Sequence, residues 1–160
     1  MRRVVVPLAA LVLVAGCGKS SVTKQEYAKQ ANAVCARYAA RIAGLPQASP
    51  ATLQSTTDLI RRTAALVRKE NAALRRLESP TRQRKAVRAM LVARDRLIDL
   101  FERNAGEIAR ASTEGAGEPT HASRLARLQR VLGPPSARAA RLATKLALTV
   151  CASEFGGGAQ

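Results

Sequence analysis

From Thr23 to Ala152 the chain is dominated by Ala, Leu, Arg, Gln and Glu, and apolar and polar residues never alternate over the length of a strand. Alanine is the strongest helix former, and the other four follow it closely. A half-buried strand needs a period of two, which is missing here. These residues therefore predict an all-α fold. Only 2% of residues are aromatic and none is Trp. The core must come from Leu, Val, Ile and Ala, whose small side chains require closely packed helices to bury enough apolar area.

The pattern divides into helices. Thr23-Lys24-Gln25-Glu26 has the form of a capping box, and Tyr27, Ala31, Val34, Tyr38 and Ile42 then recur at spacings of three and four, with Cys35 beside them. Gly44-Leu45-Pro46 ends this helix. Ser49-Pro50 reads as a helix start, and a second helix runs to about Leu77. Its inner face is marked by Leu53, Ile60, Thr63, Val67, Leu74 and Leu77, with Leu59 and Leu66 alongside. A third helix covers about Pro80 to Ala111, with Val87, Met90, Leu91, Leu97, Ile98, Phe101 and Ile108 in its stripe. Thr113 to Thr120 reads as a loop, which places His121 at a loop end. The last helical region spans about Ala122 to Ala152, with a kink or break expected at Gly133-Pro134-Pro135. Short connections make neighbouring helices antiparallel. The expected architecture is an up-down-up-down four-helix bundle with a kinked or broken last helix and one disulfide. Residues 23–153 form this domain, and residues 154–160 read as a disordered tail.

The N-terminus has the plan of an export signal. Met1-Arg2-Arg3 is positive, and Val4 to Ala15 is apolar and uncharged. This stretch is shorter than the ~20 helical residues needed to cross a bilayer. Val14-Ala15-Gly16-Cys17 resembles the bacterial lipobox, although Leu is more usual at the position of Val14. The resemblance implies cleavage of residues 1–16 and a diacylglyceryl group on Cys17, with a plain cleaved signal as the alternative. Two acyl chains anchor a protein stably. Residues 17–22 would then form a short tether at the outer face of the cell membrane.

In that oxidising compartment the remaining cysteines, Cys35 and Cys151, have one intramolecular pairing open to them. The expectation is a disulfide, against two buried thiols. Two cysteines and the lone His121 are too few ligands for a metal site. The Thr23-Lys24-x-x-Tyr27 start, Ala31-x-x-x-Cys35 and the closing Leu148-x-x-Cys151 also resemble a group of small helical actinobacterial lipoproteins. That group has no established activity, so the resemblance implies no functional residues.

Lys and Arg outnumber Asp and Glu 27 to 11, for a net charge of +16. Such an excess suits a polyanionic partner, although GC-rich codon usage also favours Ala and Arg. Arg61-Arg62, Arg68-Lys69 and Arg75-Arg76 recur every seven residues along one outer side of the second helix. They read as contacts to anionic lipid or a wall polymer, or as a solvated face. Nucleic acid fits poorly, since export removes the usual partners and stacking aromatics are missing.

Arg94 falls in the apolar stripe of the third helix and Glu70 on the inner face of the second. Antiparallel packing brings them within about one and a half turns, as a buried ion pair or the floor of a polar pocket. Asp95, Asp99 and Glu102 form an acidic strip that Arg88, Arg96 and Arg103 are placed to neutralise, so no acid–base catalysis is read there. The sequence contains no phosphate loop, nucleophile motif or metal-ligand spacing, and no cofactor is expected. The reading is a non-enzymatic envelope lipoprotein, a binding or interaction module whose partners are the membrane and another envelope protein. The alternative is a carrier of a small apolar or amphipathic molecule inside the bundle. Tight Ala-rich packing opposes it, and an enclosed pocket above about 300 Å³ would favour it.

Overall fold

A computed structural model describes residues 22–46, 52–113 and 120–156. Among these the chain is wholly helical and contains no strand: α1 (Lys24–Ala43), α2 (Leu53–Arg75), a 3₁₀ turn (Thr81–Gln83), α3 (Arg84–Arg103), α4 (Ala105–Thr113), α5 (His121–Lys145) and α6 (Thr149–Gly156). Six α-helices thus stand where four were expected. The export segment, Cys17 and Ser49-Pro50 lie outside the described residues. No described helix is long and apolar enough to cross a membrane.

Helix α1 starts as its sequence dictates. Thr23 Oγ1 accepts from the Glu26 amide at 3.2 Å, and Glu26 Oε2 accepts from the Thr23 amide at 2.8 Å. Helix α2 starts at Leu53, three residues past Pro50, because Thr52 and Ser55 cap each other's amides in the same way. The long third helix is divided at Asn104, whose side-chain amide donates to the Leu100 carbonyl at 2.7 Å. Asn favours such local bonds over helix continuation.

A break at Gly133-Pro134-Pro135, one of the two outcomes expected there, is corrected: α5 runs through both prolines. The break falls instead at Leu146–Leu148. There the Leu148 amide donates to the Ala143 carbonyl and the Ala147 amide to Thr144, with Ala147 at φ 61°. This is a Schellman ending with alanine in the left-handed position that usually takes glycine. His121 is correspondingly the first residue of α5.

Packing closes a ring: α1 on α2, α2 on α3, α3 on α5, α5 on α6, and α6 back on α1, with α4 laid against α2 and α5. The main core sits where these helices converge, around Tyr27, Leu74, Met90, Leu146, Leu148 and the two cysteines. Cys35 and Cys151 are bonded with sulfurs 2.05 Å apart and Cα atoms 5.3 Å apart, joining α1 to α6. Asn32 reinforces that junction. Its Nδ2 donates to the Ala147 carbonyl at 3.2 Å, and its Oδ1 accepts from the Val150 amide at 3.1 Å.

Candidate functional site

Behind the disulfide lies a buried polar cluster drawn from four helices. Arg94 of α3 donates through Nη2 to Glu70 Oε1 of α2 at 2.6 Å, and neither side chain has any solvent exposure. The same Nη2 is 3.5 Å from Oε2 of Glu154 on α6. The Tyr27 ring of α1 is fully buried, and the Arg94 charge reaches its hydroxyl. Next to Glu70 in the chain, Asn71 donates to the Leu91 carbonyl at 3.2 Å and to Asp95, which also takes Arg75.

The cluster holds two carboxyl groups against one guanidinium. Glu70 Oε2 and Glu154 Oε1 are buried without a donor, and the two side chains are hydrogen-bond neighbours. One proton shared between them satisfies both oxygens. Burial pushes the Glu154 carboxyl up to about 8, the Glu70 charge adds to this, and Arg94 opposes it. Burial also raises Glu70, against the pull of Arg94. Glu70 is the closer to the guanidinium, so the shared proton belongs with Glu154. Burial likewise raises the Tyr27 hydroxyl.

Glu154 also forms part of the wall of an apolar cleft of about 550 Å³. Helices α1 to α4 supply the rest, including Ala39 and Ile42, Ile60, Thr63 and Val67, Leu97 and Phe101, and Ile108. This corrects the expected inner face of α2. Its buried positions are Thr57, Ala64, Glu70, Asn71 and Leu74. Leu59, Ile60, Thr63 and Val67 are only half-buried because they face the cleft, and Leu53 is 43% exposed. The cleft is open to the surface, unlike the enclosed pocket set as the mark of a carrier.

Residue 154, assigned from sequence to a disordered tail, is thus the one acid among the described residues of the cleft wall. The usable signal was its position three residues after Cys151, on the same helix face. The cysteine sulfurs and a Glu70 oxygen lie within 4.8 Å of one another. They do not form a metal site, because bonded sulfurs carry no thiolate charge and Arg94 takes the carboxylate.

The basic stripe is divided. Arg68 bridges Asp99 at 2.9 Å and Glu102 at 2.5 Å, Arg75 bridges Asp95, and Arg61 is 3.9 Å from Asp58. Arg62, Lys69 and Arg76 are exposed. The acidic strip is therefore neutralised from α2, not by Arg88, Arg96 or Arg103. Lys85, Arg88 and Arg96 instead join Arg138 around a separate shallow cleft of about 560 Å³ between α3 and α5, with Pro134 and Pro135 in its wall. No protein-family model matches the chain, and neither does any curated protein or solved structure.

Proposed function

We propose that this chain is a non-enzymatic lipoprotein of the cell envelope, held at the outer membrane face through Cys17, whose helical body binds a small apolar molecule in the cleft walled by α1 to α4. One observation carries the binding reading. Apolar residues that periodicity assigns to the core, Leu59, Ile60 and Val67, stand half-exposed around some 550 Å³ of space. Exposed apolar area of this kind costs free energy unless something covers it, and the volume falls within the range of small-molecule sites. The four long helices α1, α2, α3 and α5 serve as the bundle frame, with α4 packed against α2 and α5 and α6 against α5 and α1.

The placement rests on the lipobox and on a disulfide suited to an oxidising compartment. A chain folded next to the membrane meets apolar and amphipathic molecules first. Among the described residues the cleft has one acid and no nucleophile or general-base pair set against a reacting group, which favours binding over catalysis.

The test of binding is titration of the full chain carrying Cys17→Ser with the neutral apolar dye Nile red. Saturable binding to one site is expected, weakened by Ala39→Trp, which fills the cleft from α1. Non-saturable binding, or binding indifferent to that substitution, would contradict the reading. Intact mass of protein from its native host tests the placement. An acylated Cys17 N-terminus is expected, and a retained Met1 without acyl mass would refute the anchor.

A further inference from the structure

Resting on the cleft reading above, we infer that the cleft selects a ligand with a cationic head, a protonated amine on an apolar body, with its nitrogen set against the Glu154 carboxylate. Three observations converge on this chemistry. Among the described residues, Glu154 is the one ionisable group in a wall that is otherwise apolar apart from Thr63. Among the described residues one cation, the Arg94 guanidinium, faces two carboxyls, 2.6 Å from Glu70 and 3.5 Å from Glu154, and a proton held on Glu154 makes up the balance. Finally, the Glu154 side chain keeps 18% of its surface exposed, while its buried Oε1 has no donor but the proton shared with Glu70.

An ammonium group supplies a fixed positive charge and hydrogen-bond donors where the two carboxyls otherwise hold a proton. Its arrival replaces the proton held between the two carboxyls and leaves two acids balanced by two cations. A carboxylate head would add a third acid around one guanidinium already bound to Glu70. A hydroxyl head donates a hydrogen bond but brings no charge, and hydrogen bonds to ionised groups are the stronger kind. The Tyr27 hydroxyl, which feels the Arg94 charge, adds none of its own.

The rest of the molecule makes this preference diagnostic. The net charge of +16 attracts anions and repels amines over the whole surface. A preference for an amine over a carboxylate of the same length therefore has to arise locally, at the acids of the cleft.

The experiment displaces Nile red from the full Cys17→Ser chain with decylamine, decanol and decanoate at neutral pH. Decylamine is expected to act at about tenfold lower concentration than decanol, the difference between a charged and a neutral hydrogen bond, with decanoate weakest. Glu154→Gln should bring decylamine to the level of decanol. Glu154→Asp should keep part of the preference, and Glu78→Gln, an exposed acid in the α2–α3 connection, should keep all of it. Decanol or decanoate matching decylamine, or a preference that survives Glu154→Gln, would overturn the inference while leaving the apolar cleft standing. Failure of the dye itself to bind would overturn the cleft reading and this inference together.

Discussion

Glu70 and Arg94 meet at 2.6 Å between α2 and α3, with neither side chain reaching solvent. Two opposite charges taken from water together recover much of their desolvation cost through each other, whereas one left alone does not. Glu70→Ala should therefore destabilise the fold by up to about 3–5 kcal/mol, the range for a broken buried pair, with Glu154 at 3.5 Å left as an acid beside Arg94. The Glu70→Leu, Arg94→Met pair should recover most of that loss. Urea unfolding of the single and double variants measures both.

Stability should fall as pH rises from about 5 to 8. Across that window the folded chain keeps a proton on Glu154, whose carboxyl is held up to about 8, while the unfolded chain, at the ordinary value of 4.5, has released it. Burial pushes Glu70 the same way. Glu26, Glu102 and Glu107 are held low by Thr23, Arg68 and Arg124 respectively. Their stabilisation is present above 4.5 and is lost only as pH falls through their folded values. Glu154→Gln should flatten the slope between pH 5 and 8 in urea midpoints.

Opening the Cys35–Cys151 bond should cost about 4–5 kcal/mol by the loop-entropy account, since it spans 116 positions. The loss should begin at α6, which Asn32 then holds to α1 by two hydrogen bonds. Hydrogen exchange of the reduced chain should show α6 amides opening first, and Asn32→Ala should accelerate them further.

Ala147→Gly should stabilise the protein by about 0.5–1 kcal/mol. The left-handed backbone at φ 61° strains alanine, and relief of that strain outweighs the greater freedom glycine adds to the unfolded chain. A thermal melt measures the gain as a raised Tm.

Much of the frame was legible because local chemistry and tertiary packing agree. The Thr23–Glu26 cap and the Tyr27, Ala31, Val34 stripe are set by neighbours within one helix. Glu70 and Arg94 stood out as charges inside apolar faces. The breaks were less legible. Pro134 and Pro135 signal an interruption, yet Pro134 is exposed and Pro135 half-buried, and on such a face a carbonyl freed by proline can turn to water. The real break, at Leu146–Leu148, has no glycine to announce it. The cleft was invisible to periodicity, which reports that Ile60 and Val67 are apolar but not that their facing helices leave a gap. Glu154 was lost because residues 156–158 are all glycine, and a glycine-rich end reads as a tail even where a disulfide at Cys151 holds the preceding turn in place.

The claim that the cleft is a ligand site is tested most directly by NMR titration of the full Cys17→Ser chain with decylamine. Saturating shifts confined to Ile60, Thr63, Val67, Phe101 and Glu154 are predicted, with Lys85, Arg88 and Arg138 of the other cleft unmoved. Shifts spread evenly over the surface, or gathered at the α3–α5 cleft while the Glu154 wall stays still, would contradict it.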